Sequence, residues 1–166
     1  MYALKKKTSK KDLLRQWGLP EKFQWRGLAY KQPYQKGIYW YWFSLEIRRR
    51  DVEKYGTCVS CGKPIGMYCD AGHFMPAGDC GRDLIFDPRN VNAECKGCNA
   101  FDKTHLLGYA QNLDKRYGAG TAQKLRDRRQ AHKESKTPLK DFTAKEYEEL
   151  IKKLPSFRES FKCLPD

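Results

Sequence analysis

No run of apolar residues in this sequence approaches the roughly 18 that a membrane-crossing helix needs, and the mean hydropathy is −0.84. The lysines near the start are not followed by an apolar stretch, so they do not read as a secretory signal. Both absences lead to the expectation of a soluble intracellular chain with no membrane partner. Acid is also in short supply, with 20 Asp and Glu against 33 Lys and Arg and a net charge of +13. Histidine is scarcer still, with three residues in 166. Any imidazole chemistry must therefore come from His73, His105 or His132.

The charge is unevenly spread. Residues 1–36 carry ten basic and two acidic side chains, and residues 109–166 carry fourteen and nine. Residues 57–108 carry five and six. A near-neutral centre between basic flanks is the electrostatic footprint of a polyphosphate partner. Lys5, Lys6 and Lys7 in the leading arm, and the run Arg48, Arg49 and Arg50, are the candidate DNA contacts. Trp17, Trp25, Tyr30 and Tyr34 either stack on unpaired bases or, as we favour, pack the leading arm on the core.

There are seven cysteines, an odd number in a chain read as intracellular, which argues against a disulfide framework. Four of them form two C-x-x-C pairs, Cys58/Cys61 and Cys95/Cys98. Four thiolates in this spacing suit a tetrahedral structural zinc. The 33 residues between the pairs make a loop large enough to hold a second site. Cys69, Cys80 and Cys163 are read as buried thiols.

Hydrophobic spacing predicts short helices over 11–17 and 121–133, a longer one over 38–55, and another following Cys98 and carrying Leu106, Tyr109, Leu113 and Tyr117. Residues 66–76 and 83–92 read as two extended pieces. Thr143 and Glu146 form a capping box for a last helix over 143–154, which Pro155 should stop. The domain reading is a basic arm over 1–36, a packing helix over 37–56, a zinc-clipped core over 57–118 and a helical region over 119–166.

Inside the clip stand Asp70, Gly72 and His73, then Asn90, then Asn99 directly after Cys98. Phosphodiester hydrolysis needs a base for water, a Lewis acid and a stabilised leaving oxygen. A neutral histidine suits the first task near pH 7, and a divalent ion on Asp and Asn oxygens suits the others. The run C-V-S-C-G, D-A-G-H-F and N-V-N-A-E-C-K-G-C-N resembles the HNH, or ββα-metal, nucleases, and most closely the phage NinG/Rap recombination-endonuclease family. The resemblance extends roughly over residues 38–154.

The resemblance implies an α+β fold: a small ββα-metal core with structural zinc, flanked by N- and C-terminal helices. It makes His73 the general base and gives Asn90 the task of holding the imidazole. It makes Asp70 and Asn99 ligands of a catalytic magnesium or manganese ion. It implies cleavage of branched DNA such as Holliday junctions and D-loops, beside other phage recombination proteins in the bacterial host cytoplasm. Branch-specific resolvases generally act as symmetric dimers whereas a nicking HNH enzyme acts alone, so both a homodimer and a monomer are compatible with this reading.

One departure stands out. The commoner HNH pattern has Asp immediately before the histidine, where this chain has Gly72. On a regular strand Asp70 and His73 point to opposite faces. Either Gly72 permits a bulge that brings both to the ion, or the carboxylate comes from Asp79, Asp83 or Asp102, with His105 as a further candidate ligand. The competing readings are a zinc-clipped nucleic-acid-binding module without catalysis, and a scaffold protein.

Overall fold

The computed structural model describes residues 10–20, 34–100, 105–135 and 141–162. It is an α+β chain. In order it runs α1 (Lys10–Gln16), α2 (Tyr34–Lys54), β1 (Asp70–His73), a 3-10 turn at Ala77–Asp79, α3 (Arg82–Ile85), β2 (Val91–Glu94), α4 (Lys96–Ala100), α5 (His105–Tyr117), α6 (Thr121–Glu134), α7 (Ala144–Lys153) and α8 (Pro155–Lys162). No helix among the described residues is long and apolar enough to cross a membrane.

The chain divides into two compact units, Met1–Trp42 with Thr143–Asp166, and Phe43–Phe142. The first is held by aromatic packing. Phe157 meets Trp17 at 5.9 Å between ring centroids and Trp42 edge-on at 5.6 Å. Tyr39 meets Tyr147 at 5.8 Å. The Trp42 indole N–H donates to the Trp17 carbonyl at 3.1 Å. Trp17 is thus a buried packing residue. The capping box forms as expected: the Glu146 N–H donates to Thr143 Oγ1 at 3.3 Å, and the Thr143 N–H donates to Glu146 Oε2 at 2.7 Å. Pro155 ends α7 but also opens α8, a helix that the sequence reading did not foresee. Proline is favoured at a first helical position, where its missing N–H would have no partner anyway.

In the second unit β1 and β2 form an antiparallel two-stranded sheet, with Asp70 opposite Glu94, Gly72 opposite Asn92 and His73 opposite Val91. Its core gathers Val59, Phe74, Leu84, Tyr109, Leu113 and Leu125. The predicted extended stretch over 83–92 is corrected: Arg82–Ile85 is a helical turn and the strand begins only at Val91. Asp79, Asp83 and Asp87 pull this connection against α6. Arg128 reaches Asp87 at 2.5 Å and Asp83 at 3.1 Å, His132 reaches Asp83 at 2.9 Å, and Arg129 pairs with Asp79. A connection anchored by three carboxylates folds back on the helix instead of extending.

Helix α5 is divided by face. Tyr109 and Leu113 enter the core. Gly108, Asn112 and Arg116, also four apart, face the loop that carries the first cysteine pair. Asn112 donates to the Val59 carbonyl at 2.8 Å and Arg116 to the Thr57 carbonyl at 2.7 Å. A Cβ on Gly108 would lie 2.0 Å from the Ser60 carbonyl oxygen, so the helix approaches the loop as only glycine permits. From the other side Asp51 of α2, fully buried, accepts the Ala93 N–H at 2.6 Å and pairs with Arg50 at 2.7 Å and Arg116 at 3.3 Å.

Candidate metal centre and catalytic site

The two C-x-x-C loops bring Cys58, Cys61, Cys95 and Cys98 together. All four sulfurs lie within 4.8 Å of one another, and Cys61 and Cys95 are 3.9 Å apart. A tetrahedron with zinc–sulfur bonds of about 2.3 Å has edges of roughly 3.8 Å, so four thiolates in this arrangement could hold a zinc ion. The turns are shaped for it. The Gly62 N–H donates to the Cys58 carbonyl at 3.0 Å, with Gly62 at φ +73°. The Cys95 N–H donates to Cys58 Sγ at 3.3 Å, a contact that would suit a zinc-bound thiolate. Burial pushes the Cys58 and Cys98 thiols up, while the backbone N–H of Cys98 draws Cys95 down. Cys69 and Cys80 are buried thiols, and burial pushes Cys80 up to about 11.

His73 closes β1. Its Nε2 lies 2.9 Å from the Ile85 carbonyl oxygen. A carbonyl only accepts, so Nε2 carries the proton and Nδ1 keeps the lone pair. Burial lowers the imidazole pKa below 6.5, opposed in part by that hydrogen bond. The ring is therefore neutral at pH 7, with Nδ1 as its basic nitrogen.

Asn90 is fully buried, and its side-chain bonds run to the backbone around the histidine. Oδ1 accepts the Met75 N–H at 2.7 Å, and Nδ2 donates to the carbonyls of Met75 at 3.2 Å and Leu84 at 3.0 Å. Leu84 adjoins Ile85, so Asn90 fixes the segment whose carbonyl holds His73.

On the other face of the ladder, Asp70 is paired with Lys96 at 2.9 Å and accepts from Asn99 Nδ2 at 3.3 Å. The register through 70–73 is unbroken. Of the two alternatives for Gly72 the bulge is absent, and Asp70 and His73 leave the strand on opposite faces. Gly72 serves another purpose. A Cβ there would lie 1.9 Å from Glu94 Oε2 and 3.0 Å from Asn99 Oδ1. The missing side chain makes room for two oxygens. Tyr109 seals the strand beneath by donating to the Gly72 carbonyl at 2.8 Å.

Glu94 was missed in the sequence reading. It is fully buried, and its Oε1 accepts from the Ser60 hydroxyl and lies 2.8 Å from His105 Nδ1. The available signal was a carboxylate ending a buried strand beside a cysteine ligand. His105 thus stands behind Glu94. Asp79 and Asp83 are committed to α6, as described above. Asp102, Lys5, Lys6, Lys7 and Cys163 lie outside the described residues. Of the arginine run, Arg50 is spent internally on Asp51, the Pro88 carbonyl at 2.8 Å and the Val91 carbonyl at 3.2 Å. Arg48 donates to the Ser44 and Met67 carbonyls, both at 3.2 Å, while Arg49 is exposed.

The family profile described as Bacteriophage Lambda NinG protein matches residues 21–156. The chain belongs to the NinG family. Among curated NinG proteins, that of Salmonella phage P22 is 30% identical over 112 residues, covering 68% of this chain and 53% of the relative. That of Escherichia phage lambda is 29% identical over 112 residues, with the same 68% and 53% coverage. This NinG-family chain spans about half the length of the curated relatives it matches. No solved structure matches it.

Proposed function

We propose that this NinG-family chain is a metal-dependent DNA endonuclease built on an HNH-type ββα unit, β1–β2–α4, clipped by a structural zinc on Cys58, Cys61, Cys95 and Cys98. One observation carries the reading. A neutral histidine, with its Nε2 proton fixed on the Ile85 carbonyl, stands on the strand whose other face carries Asp70, bonded to Asn99. A binding module has no use for a pre-set basic nitrogen on the strand that also carries an oxygen ligand.

Carboxylate and amide oxygens are the donor set of a hard divalent cation. Asp70 and Asn99 would hold magnesium or manganese. Bound there, the ion supplies Lewis-acid stabilisation of the charge developing on the phosphate and the 3′ leaving oxygen. His73 Nδ1 takes the proton of the attacking water. The Ile85 carbonyl keeps the ring turned and becomes the partner of the imidazolium so formed. Asn90 keeps that carbonyl in place. The zinc, with four thiolates around it, has no open position for water and serves the fold alone.

DNA is the substrate that fits the basic flanks, with Arg49 and the arm lysines Lys5, Lys6 and Lys7 on the phosphates. A branched junction is the form that the family resemblance supports. The place of action is the bacterial host cytoplasm, beside other recombination proteins, and a homodimer would give paired cuts.

The test is cleavage of an end-labelled four-way junction and of a linear duplex of the same sequence, with and without magnesium or manganese. Wild type should cut only with the ion, and faster at the junction. General-base help is worth about 10²–10⁴ in rate, so His73→Ala should lose activity by that order while staying folded. Tight binding with no cutting under any ion would leave the zinc-clipped binding module as the better reading.

A further inference from the structure

Glu94 has more contacts than a structural acid needs on one oxygen and fewer on the other. Ser60 and His105 both hold Oε1. Oε2 is buried and has no hydrogen-bond partner. Leaving one oxygen of a carboxylate dry and unpaired is costly, and such groups are rare in folded proteins. Its surroundings show where the partner belongs. Oε2 points at the space above Gly72, and Asn99 Oδ1 faces the same space. Two acceptor oxygens turned toward one gap repel each other unless something positive lies between them. Asp70 stands directly across the ladder from Glu94, on the same face, and reaches Asn99 through the amide nitrogen.

We propose that Glu94 is a direct ligand of the divalent ion, entering through the gap that Gly72 leaves, so that the ion is held by Glu94, Asn99 and Asp70 together. This rests on the nuclease reading above and extends it with a second carboxylate. Hard cations take oxygens at roughly 2.0–2.6 Å, and the gap at Gly72 lies between two oxygens already aimed at it. Ser60 and His105 are positioning residues: by engaging Oε1 they turn Oε2 outward, as hydrogen-bonded carboxylates at metal sites generally are. The departure from the Asp-His pattern then has a physical reason. With glycine before the histidine, the second charge comes from the neighbouring strand, and any side chain at 72 would occupy its place.

The experiment measures manganese binding to the zinc-loaded protein without DNA, by electron paramagnetic resonance and calorimetry, in wild type, Glu94→Gln and Gly72→Ala. Glu94→Gln keeps the shape of the side chain and an acceptor for Ser60 and His105. Manganese affinity should fall at least tenfold in both variants, with zinc content and melting temperature near wild type for Glu94→Gln. Should the variants fold poorly, wild type alone decides: manganese should broaden the NMR signals of the Gly72 amide, the Asn99 side-chain amide and the His105 ring. Glu94→Gln binding manganese as tightly as wild type, or no broadening at Gly72 and His105, overturns the assignment. Neither result depends on DNA cutting. A wild type that cuts but binds manganese without Glu94 sinks only this inference. Binding through Glu94 with no cutting of any DNA sinks the nuclease reading and leaves the ion site.

Discussion

At the scale of single residues, burial sets the chemistry of His73. Desolvation disfavours the imidazolium, and the Ile85 carbonyl opposes this only in part, so the folded pKa lies below 6.5. The sign has two consequences. The free base is already the dominant form at neutral pH, so the acid limb of kcat/KM for cleavage should be centred below 6.5. That limb should have unit slope, as measured in a buffer series at constant ionic strength. Stability moves in the same direction. The unfolded chain takes up the proton first, near pH 6.5, so this group's contribution to stability is lost as pH falls from there toward its folded pKa. An activity profile that bends at or above 6.5 would mean that the ring is more solvated than its position allows. Glu94 and Asn90 illustrate the complementary point. Asn90 stands out in the sequence because its spacing matches a motif. Its actual work, bonding Met75 and Leu84 backbone groups, depends on a loop path that no local pattern encodes. Glu94 was illegible because sequence periodicity does not say which of its oxygens finds a partner.

At the scale of elements, the helices with strong apolar spacing were readable, and so was the capped start of α7. The two failures have different causes. The stretch 83–92 has strand-like residues, but Asp83 and Asp87 tie it to Arg128 and His132 some forty residues on, and those long-range pairs override local propensity. Pro155 was read as a stop because a stop and a helix start look alike at one proline. Helix α5 offers a test in which two local rules predict opposite signs. Gly108 lies inside a helix, where replacing glycine with alanine ordinarily gains about 1 kcal/mol. Here the added methyl would stand 2.0 Å from the Ser60 carbonyl oxygen, a backbone atom that no rotamer change can move. Relief requires α5 to withdraw from the Cys58–Cys61 loop, which loosens the Asn112 and Arg116 bonds to Val59 and Thr57. Gly108→Ala should therefore lower the melting temperature and speed zinc release to a chelator, read with a chromogenic zinc indicator. A gain in stability would show that the loop yields freely and that its contact with α5 carries little of the fold.

At the scale of the whole molecule, under the proposed nuclease function the charge pattern separates binding from chemistry. The central stretch that holds both candidate metal sites is close to neutral and brings carboxylates to the place where a phosphate would sit, while the excess of basic residues lies in the flanking stretches. DNA affinity should then come mainly from the flanks and be lost steeply with salt, because each neutralised phosphate releases counterions. The arginine run of α2 allows a discriminating measurement. The three residues look equivalent in sequence, yet Arg50 is committed to Asp51 and to carbonyls of the β2 region, while Arg49 is exposed. A phosphate contact contributes close to one unit to the slope of log K against log salt, so Arg49→Ala should flatten the slope by about 1. Arg50→Ala should instead lower stability, because it strips a partner from the fully buried Asp51. Replacing Lys5, Lys6 and Lys7 together should flatten the slope by up to about 3 if the arm follows the backbone. Fluorescence anisotropy of a labelled junction across a salt series gives all three slopes, and urea unfolding gives the stabilities. An Arg49 variant with the wild-type slope would place the DNA on another face of the molecule and leave the basic arm as the main anchor.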